Sequence, residues 1–240
     1  MTTTPRVALI TGASQGVGAA LVAGYRDLGY AVVANSRTID ATADPQILAV
    51  PGDIGQPGVG RHIVAAAVER FGRIDTVVNN AGIFIAKGFA EYTDEDYEAI
   101  TGVNLRGFFE ITRAAVAQML RQGGDPRGGH LVNISTTLAE HANSAVPSAL
   151  ASLTKGGLNA AARALAIEYA DRGIRSNAVS LGIIRTPMHD PSEYATLAAL
   201  HPMGRVGEVA DVVGAVLYLE NAQFVTGEIL HVDGGQSAGH

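Results

Sequence analysis

The sequence predicts a single-domain α/β fold built on a parallel sheet, and three observations carry that expectation. Apolar, strand-like runs alternate with helix-competent segments along the whole chain. The first such pair, Val7-Ala8-Leu9-Ile10 and Ala19 to Tyr25, is joined by a glycine-spaced turn. A length of 240 residues is enough to bury a substantial core without division into smaller units.

The turn reads Thr11-Gly12-Ala13-Ser14-Gln15-Gly16-Val17-Gly18. A strand, a tight loop and a helix in that order aim the free N–H groups of the helix at the loop, which makes a cradle for phosphate. Gly12 lets the chain turn off the strand, Gly16 removes a Cβ that would hold a pyrophosphate away, and Gly18 lets the helix close on the sheet. The spacing departs from the commoner G-x-G-x-x-G. Taken alone, the turn also fits an ordinary strand-to-helix connection.

After Gly29-Tyr30, the run Ala31-Val32-Val33-Ala34 is a second buried strand ending in Asn35-Ser36-Arg37. In a dinucleotide fold this strand end meets the adenosine ribose. An Asp there would accept from both ribose hydroxyls, whereas Ser36 and Arg37 offer a hydroxyl and a guanidinium suited to a 2′-phosphate. This favours NADP(H) over NAD(H), with a solvated loop cation as the alternative reading of Arg37. Thr38 to Ile47 contains Pro45 and is too short for a crossover helix, so a loop is expected before the third strand, Ile47 to Val50. Asp53 is placed to meet an adenine edge or, equally, to serve as a turn residue. Val59, Ile63, Val64, Ala67, Val68 and Phe71 recur at helical spacing up to Gly72 and predict an amphipathic crossover helix.

Composition narrows the function. Hydrophobic residues make up 47% and charged residues 17%, which describes a globular chain. A net charge of −6 without a segregated basic patch argues against nucleic acid or an anionic membrane as partner. With no cysteine, disulfides, thiolate metal sites and a cysteine nucleophile are excluded. Met1 to Pro5 leads directly into the first strand, leaving no room for a signal peptide, and no apolar run approaches the about 20 residues of a membrane span. A soluble cytoplasmic protein is the expectation.

Beyond Ile74, the segment Asp75-Thr76-Val77-Val78-Asn79-Asn80-Ala81-Gly82 supplies a fourth strand with a small-residue end. The glycine turn, this N-N-A-G and Val103-Asn104-Leu105-Arg106-Gly107 together resemble the classical short-chain dehydrogenase/reductase family. The likeness continues through Val132-Asn133-Ile134-Ser135, Thr154-Lys155, Ile184-Arg185-Thr186-Pro187-Met188 and Val225 to Gly235. It implies a Rossmann-like, doubly wound parallel sheet of seven strands with a cleft at the strands' C-terminal ends. The whole of 1–240 is then one dinucleotide-binding domain, with a substrate-covering segment at about 187–206.

The alternation agrees: Asp94 to Gln122 is helix-competent, Gly129 to Ile134 a strand, Ser148 to Asp171 a long Ala-rich helix and Ile174 to Ser180 a strand. Glu208 to Leu219 is a further helix and Ile229 to Val232 a last strand. The small-residue face Gly156, Gly157, Ala160, Ala161 and Ala164 permits close approach. In the resembled family such helices pair across subunits, implying a homodimer or homotetramer; packing inside the monomer is the alternative.

Site residues follow from the same resemblance. Cofactor contacts fall on Gly12, Ser14, Gln15, Gly16, Val17, Gly18, Ser36, Arg37, Asp53, Ile54, Asn80, Ala81, Gly82, Lys155, Gly182, Ile184 and Thr186. The catalytic set falls on Asn104, the Ser135-Thr136 pair with Thr136 in the register of the family's Ser, Ala151 and Lys155. Family members place a proton-donating Tyr four residues before the Lys, on one helix face. Here that position is Ala151, which has no proton to give. Ser148, His141, His189 and Tyr194 are other groups that could reach the cleft. The loop from Thr136 to Ala151 is about two residues longer than usual, and Leu181 stands where a proline precedes Gly182 in the family. The resemblance therefore implies an NADP(H)-dependent oxidoreductase acting on a small-molecule substrate by an altered proton route; a non-catalytic dinucleotide-binding protein is the alternative.

Overall fold

A computed structural model describes residues 4–122 and 128–239. Of the lead-in Met1 to Pro5, residues 1–3 lie outside the described residues. The strands are β1 (Val7–Thr11), β2 (Ala31–Ser36), β3 (Ile47–Pro51), β4 (Thr76–Asn79), β5 (Gly129–Thr136), β6 (Ile174–Leu181) and β7 (Ile229–Val232). They form one seven-stranded sheet in the order β3-β2-β1-β4-β5-β6-β7. Every pair is parallel, with Leu9 opposite Val33 on one side and Val77 on the other.

Strands buried on both faces read as unbroken apolar runs, which is why Val7 to Ile10 and Ala31 to Ala34 show no alternation. One face is covered by α1 (Gly16–Asp27) and α7 (Val209–Asn221), whose Leu21, Tyr25, Val212, Val216 and Leu219 join Ile10, Val32 and Val78. The other is covered by α2 (Val59–Phe71) and α4 (Phe108–Gln122), through Ile63, Val64, Ile111, Ala115 and Met119. The α2 helix ends as expected at Gly72, whose φ of +78° favours glycine.

No helix connects β2 to β3. A loop does so, tied by Arg26 Nε to Asp44 Oδ2 at 2.9 Å, and the edge strand β3 is only partly buried at Ile47, Leu48 and Ala49. The expected continuous helix from Asp94 to Gln122 is instead α3 (Asp94–Thr101), a π-helical segment Gly102–Gly107, and α4. This π segment is a local widening that helical periodicity does not reveal, and it carries Asn104. The long helix α5 spans Ala149–Glu168, with Ser148 as its N-cap. A short helix, α6 (Tyr194–Ala198), lies within the 187–206 segment. Among the described residues no helix is long and apolar enough to cross a membrane.

At the strands' N-terminal ends a buried polar cluster joins the layers. The Glu220 carboxylate of α7 accepts from Tyr25 (3.1 Å), Tyr30 (2.7 Å), Thr76 (3.1 Å) and His130 Nδ1 (2.9 Å). Asn177 meets His130 Nε2 at 3.0 Å, so the imidazole is neutral with its proton on Nδ1.

Candidate active site

Strand order reverses between β1 and β4, and the crevice outside their C-terminal ends is where an open α/β sheet takes its ligand. The glycine turn forms one wall. Gly12 and Gly16 have φ of +66° and +54°. A Cβ on Gly12 would stand 2.9 Å from Asn80 Nδ2, and one on Gly18 only 2.1 Å from the Gly12 carbonyl oxygen. Gln15 is the N-cap of α1 but its side chain makes no capping hydrogen bond, so the first-turn N–H groups that follow, at Val17 and Gly18, face the turn without a side-chain acceptor. The turn is thus shaped by close approach.

Asn80, Ala81 and Gly82 are fused to this turn. Thr11 Oγ1 accepts from the backbone N–H of Asn80 at 3.1 Å and of Ala81 at 3.0 Å, while Asn80 Nδ2 donates to Thr11 O at 2.8 Å. Thr11 was not among the sequence candidates; its signal is a hydroxyl residue at the last strand position before the first glycine.

At the end of β2, the Ser14 and Ser36 hydroxyls lie 2.8 Å apart on the surface beside exposed Arg37. Asn35 Nδ2 donates to Val50 O (2.9 Å) and Gly52 O (3.1 Å), holding the ends of β2 and β3 together. Asp53 Oδ1 accepts from Gly55 N at 2.9 Å, which is the turn geometry expected as one of its two readings. The Ile54 side chain is buried, and a Cβ on Gly107 would collide with it at 2.6 Å, so it packs on the π segment.

The π segment presents Asn104. Its Oδ1 accepts from Ile83 N at 3.0 Å, and its Nδ2 donates to Ile83 O and to Thr154 Oγ1, both at 3.1 Å. The amide therefore clamps the chain beyond Gly82 onto α5. From α5, Lys155 Nζ donates to Ile134 O at 2.8 Å, and it lies 2.8 Å from where a Cβ on Gly82 would be. Burial alone lowers the pKa of Lys155 to about 8. Ser135 Oγ donates to the Lys155 carbonyl at 3.4 Å, whereas Thr136, at the end of β5, accepts from Leu138 N at 3.3 Å. Lys155, Asn104, Gly82 and the end of β5 thus converge.

Ala151 is 1% exposed, so its Cβ is sealed in protein. Ser148 is the N-cap of α5: its φ and ψ of −149° and 33° are not helical, but its carbonyl accepts the helical hydrogen bond from Ser152 N at 2.8 Å. His141 is exposed on the long loop. Tyr194 OH donates to Thr186 O and His189 O, both at 3.4 Å, under Arg185, whose guanidinium stacks 4.4 Å from the ring centroid. These residues line a cavity of about 600 Å³, in which burial pushes the His189 pKa down.

Past β6, Gly182 admits His201, since a Cβ there would stand 2.6 Å from Nε2. That nitrogen accepts from Ile183 N at 3.0 Å and Nδ1 donates to Leu197 O at 3.1 Å. His201 therefore ties the 187–206 segment to the strand end, a job its place among the polar residues of that segment did not indicate. Leu181 and Ile184 are buried, and Thr186 returns to within 3.4 Å of the Cβ position of Gly16.

The family model described as enoyl-(acyl carrier protein) reductase matches residues 12–237. The 3-oxoacyl-[acyl-carrier-protein] reductase FabG of Thermotoga maritima is 34% identical, over 96% of this chain and 97% of that protein. Among solved structures, a blue fluorescent protein from a metagenomic library in complex with NADPH is 33% identical, with a TM-score of 0.86 over 97% of this chain and 98% of that one. A 3-ketoacyl-(acyl-carrier-protein) reductase from Brucella melitensis complexed with NADH is 30% identical, with a TM-score of 0.87 over 98% and 100%. A match across nearly the full length in sequence and fold, laid over a glycine cradle at the sheet's switch point, means that the chain belongs to the classical short-chain dehydrogenase/reductase family of dinucleotide-dependent oxidoreductases.

Proposed function

We propose that the protein is an NADP(H)-dependent oxidoreductase that moves a hydride between the nicotinamide and a small carbonyl, imine or alcohol substrate, without a phenolic proton donor. The observation that carries this reading is the convergence of Lys155 Nζ, Asn104 and Gly82 at the C-terminal ends of the strands, on the same side of the sheet as the glycine turn. A protein that only sensed the dinucleotide would need its phosphate and adenine contacts but not a partly buried ammonium beside the ring.

In this reading Ser14, Gln15, Gly16, Val17 and Gly18 hold the pyrophosphate, and Gly12 sets the turn. Ser36 and Arg37 take the 2′-phosphate, while Asp53 and Ile54 border the adenine, Ile54 through its backbone because its side chain is buried. Asn80, Ala81 and Gly82 line the middle of the crevice. Lys155 holds the nicotinamide ribose, and Gly182, Ile184 and Thr186 hold the carboxamide. When bound, the reduced cofactor supplies a hydride. Thr136 offers its hydroxyl hydrogen to the substrate oxygen, with its lone pair engaged by Leu138, and Ser135 acts behind it by fixing the helix that bears Lys155.

The substrate class follows from what hydride transfer requires, and the ketoacyl reductases among the relatives support a carbonyl. Gly157, Ala160 and Ala164 are exposed on α5, which supports pairing of this face with a second copy in a homodimer or homotetramer. The acidic net charge and the lack of cysteine support a cytoplasmic protein with no nucleic-acid or membrane partner. A second reading, a dinucleotide-binding protein without turnover, is favoured by one observation: Ala151 stands sealed at the position of the family's Tyr.

Steady-state oxidation of NADPH against a panel of aldehydes, ketones, imines and enones separates the two. The oxidoreductase reading expects turnover that Lys155→Ala abolishes. NADPH binding with no member of the panel reduced, and with affinity indifferent to Lys155→Ala, defeats it. Light scattering on the purified protein checks the assembly, and a monomer at micromolar concentration would reject the pairing of α5.

A further inference from the structure

We propose that Lys155 Nζ itself delivers the proton to the substrate oxygen in the direction of carbonyl reduction, and takes it back in the direction of alcohol oxidation. This rests on the oxidoreductase reading above and names the acid that it leaves open.

Position comes first. Nζ is held at the C-terminal end of β5 by the Ile134 carbonyl and lies against Gly82, next to the β1–β4 switch point. One hydrogen of the ammonium is committed to Ile134, leaving others for a ribose hydroxyl and a substrate oxygen. One turn earlier on the same helix, Ala151 brings no functional group that could stand between Nζ and a substrate.

The surroundings leave the ammonium free to ionise. On the elements packed against α5, Asp96 is held by Lys87, Arg106 by Gly55 O, and Glu140 by Asn159 and His231. Asp94, Glu95 and Glu98 of α3 and Arg163 and Glu168 of α5 are exposed, and Arg175 sits at the opposite end of the sheet on the carbonyls of Leu219 and Val225. Burial alone acts on the Lys155 acidity, bringing it to about 8, where an amine both gives and accepts protons near neutrality.

Three of the other candidate acids are committed, and His141 and His189 are separated by their alanine variants. His201 is fixed between Ile183 and Leu197, His231 is paired with Glu140, and the Tyr194 hydroxyl donates to two carbonyls. In the reductive step the carbonyl carbon gains the hydride given up by the reduced nicotinamide, which is oxidised. The carbonyl π bond breaks onto oxygen, and that oxygen takes a proton from Nζ. Lys155 is left as a neutral amine and recovers its proton from water.

The test compares wild type with Lys155→Arg, which keeps the charge but does not release a proton in the working range. Fluorescence titration with NADPH first establishes binding in both. Wild-type reduction of the carbonyl panel is expected to fall above a limb near pH 8, and the reverse oxidation to rise through the same limb. Lys155→Arg should lose the limb and fall about 10²–10⁴-fold in rate. Independently of turnover, the pH dependence of acetic anhydride labelling at Lys155 in the cofactor-free protein, read by mass spectrometry, should have its midpoint near 8. A midpoint at the ordinary lysine value, above about 10, overturns the proposal. So does a limb that survives in Lys155→Arg, or one that vanishes in His141→Ala or His189→Ala. Absence of NADPH binding, or binding with no turnover, brings down the oxidoreductase reading and the proposal together.

Discussion

A Cβ on Gly18 would stand 2.1 Å from the carbonyl oxygen of Gly12. The Asn80 side-chain amide would also lie 2.7 Å away, but the tightest obstacle is backbone, so relief requires α1 to move away from β1. Gly18→Ala is therefore expected to lower stability by about 1–3 kcal/mol through overpacking and to weaken NADPH binding at least tenfold. Thermal unfolding and fluorescence titration measure the two effects. A variant with wild-type melting temperature and affinity would show that the helix has room to spare.

Gly214 makes the opposite case. It lies inside α7, is exposed, and a Cβ there would meet nothing within 4 Å. Because glycine costs a helix interior about 0.5–1 kcal/mol relative to alanine, Gly214→Ala should raise the melting temperature by a few degrees and leave cofactor binding unchanged. A decrease in stability would mean that this surface is covered in the assembled protein.

The contrast between these glycines shows what the sequence made legible. Regularly repeated local patterns could be read: the apolar runs of β1 and β2, the helix ending at Gly72, the missing crossover before β3, and β7 to the residue. Motif spacing singled out the glycine turn, and the family resemblance singled out Lys155. What stayed hidden depends on contacts between distant segments. The π segment at Asn104 is fixed by Ile83 and Thr154, and His201 is fixed by Ile183; neither relation has a sequence period. The Glu220 cluster draws on five elements or their flanks, from Tyr25 to Glu220 itself, and each contributor in isolation reads as an ordinary polar or aromatic residue.

Cofactor preference is expected to lie in Ser36 and Arg37. The Ser14–Ser36 hydroxyl pair and the adjacent guanidinium offer donors to a phosphate and no carboxylate to a plain ribose. Arg37→Ala should weaken NADPH binding about tenfold, the equivalent of about 1.4 kcal/mol, and leave NADH nearly unaffected. Calorimetry with both nucleotides decides it. Tighter binding of NADH than NADPH by the wild type would reverse the assignment.

Restoring a phenol at position 151 is not expected to restore an ordinary active site. Ala151 is sealed at 1% exposure, so a tyrosine side chain must displace its neighbours. Ala151→Tyr should cost about 1–3 kcal/mol in denaturant unfolding and give no more than a modest gain in NADPH oxidation. A stable variant with a large gain in rate would show that the long loop yields readily and that the site retains a place for the phenol.

Glu220 and His130 set the acid limit of stability. Burial opposes ionisation of Glu220, but the hydrogen bonds from His130 and Tyr30 and the charge of Arg6 outweigh it and hold its pKa below the ordinary carboxylate range. A carboxylate with a depressed pKa stabilises the fold fully above its unfolded-state value, about 4.3, and that contribution is lost as pH falls toward the folded value. His130 acts in the same direction: burial lowers its pKa, so its neutral form is favoured in the fold, and stability declines as pH drops below about 6.5. Unfolding free energy should therefore fall from about pH 6.5 downward and more steeply below about pH 4.3. In Glu220→Gln the steeper part should shrink, and the variant should be less stable at pH 7 by about 2–4 kcal/mol, since four donors lose their charged acceptor. Urea titrations of both proteins at a series of pH values measure this, and parallel pH profiles would show that the acid sensitivity arises elsewhere.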